Sequence, residues 1–418
     1  MINAKDKKIL RELAKKVNEI ANLPIMAERK KRWYAHNALG SGQPMVLCYP
    51  EGSWCELLPE SKLTCESTKA RRIEYILRER IYIHEHINDD SVTSNTYKIH
   101  KKISALDDYW IDIDWGLPIK RRASTQERGG YGFEPIIKHI DDINLLRIPT
   151  LEYDENATMT EYHQAQELFD DILEINLSGV NLIGFHIMYF YTHYRGLEQT
   201  FLDFYDEPEM AHALVGFFEM GLRNIVDQLA ALDLLSLNND GAYVSTGGCG
   251  YTDELPQEGF SGCVRPIDMW ASAEAQELAV VSPEQSEEFV ISAERRLLSR
   301  FGLTGYGCCE PIHDKLSYIL SIPNIRRISV SPFSDVRKSA EQIGKKCVFS
   351  WKPQPFFVSS PTFDEDAARK YIAGGLSDAT DTVLEMILAD THTCHNEPNR
   401  FARWVKLCRE EIEKNWKG

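Results

Sequence analysis

The chain has no apolar run long enough to cross a bilayer. Its most apolar stretch, "GVNLIGFHIMYFY" at 179–191, falls short of the ~20 residues that a spanning helix needs and contains His186. The amino-terminal "MINAKDKKILRELAKKVNEIANL" lacks an apolar core and a small-residue cleavage site; it reads as an amphipathic helix, and a cytoplasmic location is expected. Positive charge is scarce. Lys and Arg number 47 against 63 Asp and Glu, and the formal charge of −16 argues against nucleic acid and anionic membrane as partners. No G-x-G-x-x-G follows a strand pattern and opens a helix, since "GGYGFE" at 129–134 has the wrong spacing, which argues against a dinucleotide fold. The ten cysteines include no paired C-x-x-C spacing, so no closed zinc finger is expected. In a long chain without an export signal they should be reduced thiols.

What is present is the balance of a globular protein, 43% hydrophobic and 26% charged. The carboxyl-terminal half alternates strand and helix patterns. Ser282-Pro283-Glu284-Gln285 is a capped helix start, and the helix is expected to stop at Gly302. "LTGYGCC" (303–309), "RRISVS" (326–331), "KKCVFSW" (345–351) and "VLEMILA" (383–389) read as strands, with Pro311 opening a helix after the first. Upstream, "MVLCY" (45–49), "YWIDID" (109–114), "NLIGFH" (181–186) and "LLSLN" (234–238) bring the count to eight. Eight strands with helical crossovers point to an α/β fold, a (β/α)₈ TIM-type barrel over 41–418, with residues 1–40 as an added N-terminal helical layer.

In such a barrel the chemistry lies at the carboxyl ends of the strands. Those positions offer Tyr49, Glu51, Trp54, Asp114, Trp115, His186, His193, Arg195, Asp240, Tyr306, Cys308, Cys309, Glu310, Lys352, His392, Cys394 and His395. Two Cys- and His-bearing loops, "GYGCCEPIHDK" (305–315) and "DTHTCHNEP" (390–398), carry zinc-type donors. Adjacent cysteines on a strand point to opposite faces, so one of Cys308 and Cys309 is expected in the core. His186 on its apolar run is also what a satisfied core histidine looks like, and Trp54 and Trp115 suit packing as well as ligand contact.

Several segments resemble the uroporphyrinogen decarboxylase superfamily. "SPEQSEEFVISAERRLL" is similar to its SPE-x-x-x-EF helix, and "ISVSPFSDVRKSAEQIGKKCVFSWKPQP" to its strand-helix-strand unit. "GFHIMYFYTHYRGLEQTFLDFYDEPEMAHAL" is similar to its central strand and the D-x-P-E helix after it. The matches run in order from about 180 to 412 and imply a (β/α)₈ barrel. The decarboxylases themselves carry an Arg-rich "RQAGRY" loop for a polycarboxylate; this chain has "CYPEGSWCE" there, with Glu51 and no arginine. The resemblance therefore implies the zinc-dependent, corrinoid-linked methyltransferase branch. Aligned on that branch's H-x-C-G motif, Tyr306 stands at the histidine, Cys308 at the first cysteine and Cys309 at the glycine; Cys394 stands at the second cysteine. The implied metal set is Cys308 and Cys394, with Glu310, His392 or His395 in place of the histidine that this chain lacks.

The function expected on that basis is transfer of an O-, N- or S-linked methyl group between a small molecule and a corrinoid (cobalamin) on a partner protein, with zinc as Lewis acid. Glu51, His186 and Asp240 are the candidate catalytic groups; Tyr49, Trp54, Trp115, His193, Tyr306 and Lys352 are candidate substrate contacts. Two alternatives stand beside it. One is a metal-independent decarboxylase or lyase that binds a carboxylate through Lys352, Arg195 or Arg265; the other is a non-catalytic ligand-binding barrel.

Overall fold

Among the described residues, seven short strands of parallel ladders are buried along most of their length: β1 (Met45–Cys48), β2 (Gly184–Phe185), β3 (Trp270–Ala273), β4 (Leu303–Tyr306), β5 (Ile325–Val330), β6 (Val348–Trp351) and β7 (Val383–Leu388). Strands covered on both faces read as unbroken apolar runs, which is why most were visible in the sequence. The computed structural model describes residues 2–40, 42–106, 110, 113–122, 132–244 and 247–416. The chain divides into two units, one of Met1–His100, Glu155–Ser178 and Val336–Gly418, the other of Lys101–Asp154 and Gly179–Asp335.

In the first unit β1, β7 and β6 run parallel, Met45 beside Glu385 and Ser350 beside the same Glu385. Helices Ala4–Ala21 and Pro24–Asn37 fill the segment expected to be helical. Asn3 caps the first by accepting the Asp6 amide, and Asp6 in turn accepts the amides of Glu66 and Ser67. Its apolar stripe of Leu10, Ala14 and Val17 shares one core with Ala70 and Leu77 of helix Thr68–Tyr82 and with Leu168 and Phe169. A separate parallel pair joins Thr96–His100 to Glu174–Ser178. Helices Glu365–Asp378 and Arg400–Asn415 pack on one another.

In the second unit the parallel order is β5, β4, β3, β2, with Gly305 beside Arg327 and Ser272, and Ala273 beside Phe185. The long helix Pro208–Ala231 buries Leu214, Phe218, Leu222 and Ile225. Trp115 lies fully buried against Phe190, Phe217 and Phe218. Gly221 makes that possible, because a Cβ there would come within 2.4 Å of the indole.

Two expectations change, and a third lies partly outside the described residues. The strand at 234–238 is reduced to a single bridge, Val180 to Leu235. Asn238 ends the run because its side chain, not a ladder, joins the neighbours: it donates to the Asn181 and Trp270 carbonyls and accepts the Trp270 amide. Half of the strand expected at 109–114 lies outside the described residues, and Trp110, Ile113 and Asp114 are in no ladder. Pro311 does not open a helix; side chains pin that loop instead, Ser334 accepting the Ile312 amide and His313 the Asp335 amide, and only Leu316–Ile319 is helical. β3, "WASA", was not foreseen. It is short, made mainly of small residues, and wholly buried, so it has no period of two to detect. The SPE segment behaves as expected at its start, where Ser282 accepts the Gln285 amide; it then runs through a π-helical turn, Glu287–Ile291, into helix Ser292–Leu298.

Candidate functional site

In the second unit the carboxyl ends of β2, β3 and β4 deliver a concentrated set of ionisable groups. His186 follows β2 and opens helix Ile187–Arg195. Its Nδ1 lies 2.8 Å from Oε1 of Glu274, the residue just after β3. With the proton on Nδ1, the carboxylate orients the ring and leaves Nε2 for another partner. Gly184 leaves room for the ring: a Cβ there would sit 2.7 Å from Nε2. The other Glu274 oxygen accepts the Gln276 amide.

β4 ends at Tyr306, and Gly307, at φ +93°, turns the chain so sharply that Cys308 and Cys309 escape the alternation of a strand. Their sulfurs come 3.6 Å apart and both are partly exposed, so neither has been sent to the core as expected. Glu310 is buried and accepts two amides, Ala275 at 3.2 Å and Cys308 at 2.9 Å. Tyr306 is a correction to the expected substrate contacts. It is fully buried, and its hydroxyl donates to Glu294 at 2.7 Å.

The electrostatics of this group are one-sided. Burial together with the Glu274 and Glu310 charges pushes the Glu277 carboxyl up to about 8. Burial and Glu274 raise Glu310. Burial holds Glu294 well above the carboxylate range, against the Tyr306 hydrogen bond. Contact with Cys309, burial and Glu274 keep the Cys308 thiol protonated. Lys315 is buried and donates to the Leu278 carbonyl at 2.7 Å; burial lowers its pKa while Glu310 and Glu294 oppose that. Oε2 of Glu277 and Oε1 of Glu294 are buried without a hydrogen-bond partner.

Elsewhere in this unit the expected residues do other work. His193 is buried between the rings of Phe133 and Tyr189, each 3.6 Å from it, and burial with Arg121 drives its pKa down to about 4. Trp115 belongs to the aromatic core, and the Asp240 carboxylate accepts the Ala242 amide of its own turn. Arg195 is locked on Asp203 at 2.7 and 2.8 Å, and Arg265 on Asp268 at 2.8 Å.

The first unit has its own strand-end loops. Glu51 follows β1 and accepts the Asp390 amide at 2.7 Å; desolvation and the Asp390 charge raise it. Trp54 packs edge-on to Tyr82, and the Tyr49 carbonyl accepts from the Thr391 hydroxyl. Lys352 is nearly buried and donates to Ser350 at 2.8 Å. Glu56 organises the loop after β7. It accepts from the Thr393 hydroxyl, from the Cys394 amide and thiol at 3.0 and 3.1 Å, and from the Asn396 amide at 2.7 Å. Against the desolvation that would raise it, those bonds hold Glu56 down to about 2. Burial and the Glu56 charge push the Cys394 thiol up to about 12. His395 Nε2 meets the Ser359 carbonyl at 2.9 Å.

Each unit thus holds part of the expected zinc set, Cys308 and Glu310 in one, Cys394 with His392 and His395 in the other. Within each unit the donors do not fit a zinc ion as arranged. Glu310 spends both oxygens on amides, the Cys394 thiol donates a hydrogen bond to Glu56 and keeps its proton, and His395 is bonded to a carbonyl. Among the described residues no three His, Cys, Asp or Glu side chains are grouped to hold a metal. Glu274, Glu277, Glu294, Lys315 and Glu56 were absent from the sequence-based set. Recognising "WASA" as a strand would have pointed to Glu274, the residue at its end.

No protein-family model matches the sequence, and no curated protein does. Among solved structures, the chain is similar in fold to a methyltransferase from Methanosarcina mazei, with a TM-score of 0.50 and 11% identity over 91% of this chain and 98% of that one. No helix among the described residues is long and apolar enough to cross a membrane.

Proposed function

We propose that this protein is a methyltransferase acting at the carboxyl ends of its parallel strands, and that it exchanges a methyl group between a small methylated compound and a corrinoid borne by a partner protein. The observation that carries the reading is the His186–Glu274 pair at 2.8 Å, set among Glu277, Glu310 and Cys308 at three adjacent strand ends. Two other things support it: the fold likeness to a named methyltransferase, and the resemblance to the methyltransferase branch of the uroporphyrinogen decarboxylase superfamily. The corrinoid, as co-substrate, supplies the centre that takes or gives the methyl.

The chain's own part is positioning. Glu274 fixes the imidazole through Nδ1–H, and Nε2, in the ring that carries a proton there too, donates to the heteroatom that bears the methyl, holding the C–heteroatom bond in line for displacement. No step is assigned to zinc. The decarboxylase alternative is poorly served, because Arg195 and Arg265 are bound to Asp203 and Asp268, and the strand-end site repels carboxylates.

The test is methyl transfer to or from a free corrinoid, followed by its visible absorbance, with O-, N- and S-methyl compounds in turn. Transfer should be seen with one class, and His186→Ala should lower kcat/KM by about 10² or more. Wild-type rates in that variant, or no transfer with any class, would refute the proposal.

A further inference from the structure

The first unit contains a recess of about 330 Å³, a volume within the range of small-molecule sites. Its wall is apolar: Leu13 of helix Ala4–Ala21, Leu57 and Leu58 after β1, and Ile81 and Tyr82 at the end of helix Thr68–Tyr82. Beyond Tyr82 the chain passes into a π-helical turn, Ile83–Ile87, which adds Glu85 and His86 to the lining; such turns are rare and frequent at functional sites. The charged groups are mostly cations. Lys16, Lys62 and Arg78 line the recess with one carboxylate, Glu85, which Lys16 holds at 3.1 Å. Arg78 donates through Nε to Glu74 at 2.8 Å, and Glu74 is further satisfied by the Thr64 and Cys65 amides and the Thr64 hydroxyl. Nη1 and Nη2 of Arg78 have no hydrogen-bond partner among the described residues, and the side chain is 30% exposed. Lys62 donates to the Leu57 carbonyl at 2.9 Å and pairs with no carboxylate among the described residues. Glu74 and Glu85 against the three cations leave one positive charge, before His86 is counted, in a chain whose formal charge is −16.

We propose that this recess is a binding site for a small amphipathic carboxylate, with its head on Arg78 and Lys62 and an apolar or aromatic body on Leu13, Leu57 and Ile81. The site is independent of the methyl-transfer reading. Arg78 decides the head. Its Nε is taken by Glu74, so the two Nη groups are the donors left, and a planar carboxylate accepts from both at once where a hydroxyl cannot. The single surplus positive charge matches a monoanion; a phosphate dianion would bring one negative charge too many. The wall decides the body. Leu57 and Leu58 are already buried, and an apolar occupant takes the part-exposed Leu13, Ile81 and Tyr82 out of water. Both parts are needed, because ion pairs left in contact with water are weak by themselves. Leu57 and Leu58 directly follow Glu56, so the occupant rests on the segment that holds the loop after β7.

The experiment is isothermal titration of the full chain with 4-phenylbutyrate, with 4-phenylbutan-1-ol as its uncharged analogue, and with acetate as a head without a body. Phenylbutyrate should bind about tenfold more tightly than either, or better. Arg78→Gln should abolish its preference over the alcohol. Lys62→Gln removes an exposed cation bonded only to a carbonyl, so it leaves the core untouched, and should cut that preference about threefold or more. It carries the test should Arg78→Gln misfold for want of the bond to Glu74. Higher salt should narrow the gap between carboxylate and alcohol without weakening the alcohol. Equal binding of the alcohol, acetate as tight as phenylbutyrate, tighter binding of 4-phenylbutylamine, a preference unchanged in Lys62→Gln, or no binding up to about 10 mM would overturn the inference. Methyl transfer to a corrinoid is a separate measurement, and its failure leaves this site standing.

Discussion

Glu277 gives the molecule a measurable dependence on pH. Its carboxyl is raised from 4.5 to about 8 by burial and by the charges of Glu274 and Glu310, so the folded chain holds this proton far more tightly than the unfolded one. Its contribution to stability is therefore whole below the unfolded value and is lost as the pH climbs through the folded one. At about 1.4 kcal/mol per pH unit, an isolated group with this shift surrenders about 3.5 kcal/mol between about pH 5 and about pH 8. The Gln variant keeps the shape and cannot titrate. For a unit of this size each kcal/mol corresponds to about 2–4 °C, so Glu277→Gln should gain about 7–14 °C in Tm over wild type across that interval. Glu310 shares the same field, which makes the lower half of the range the expected outcome. Differential scanning fluorimetry of both proteins in a graded buffer series measures it. Two melting curves that fall in parallel, within about 2 °C, would refute the account of a crowded carboxylate site.

Other outcomes follow from named contacts. Gly184→Ala places a Cβ 2.7 Å from His186 Nε2, so the ring must swing off Glu274; methyl transfer should fall by about 10² with Tm nearly unchanged, and a fully active variant would detach the pair from the chemistry. Glu56→Gln deprives the Thr393, Cys394 and Asn396 donors of a charged acceptor and should cost about 1–3 kcal/mol in urea unfolding at neutral pH. Because Glu56 is held down to about 2, the difference should persist above about pH 4.5 and vanish as the pH falls toward 2. Cys394→Ser should leave metal content by elemental analysis unchanged, since the thiol is committed to Glu56; loss of one zinc per chain would reinstate the ligand set drawn from the two loops.

Much of the fold was legible, because β1, β2 and β4 to β7 are apolar runs set between turn residues. What escaped was decided by side chains. Asn238 replaces a ladder with three hydrogen bonds from one amide group, a substitution that an apolar run before it does not announce. β3 is small and buried, and missing it hid Glu274, the partner that turns His186 from a residue on an apolar run into an oriented imidazole. Of the groups at the ends of β2, β3 and β4, His186, Cys308 and Glu310 stand among the sequence candidates. Glu277 lies in a 3-10 turn beyond the unseen strand, and Glu294 on a helix far in sequence from any strand's carboxyl end. Tyr306 and His193 looked like contacts because polar aromatics near a strand end suit that role; burial and their neighbours make them part of the packing instead.

The discontinuous make-up of the first unit has a consequence for biosynthesis. β1 leaves the ribosome well before its parallel neighbour β7, which lies about 335 residues further on. At ordinary elongation rates Met45–Cys48 waits about 15–70 s with that edge unpaired. An apolar strand left open for so long is a template for other nascent chains, so holdase occupancy during translation should be concentrated around Met45–Cys48 and released once Val383–Leu388 appears.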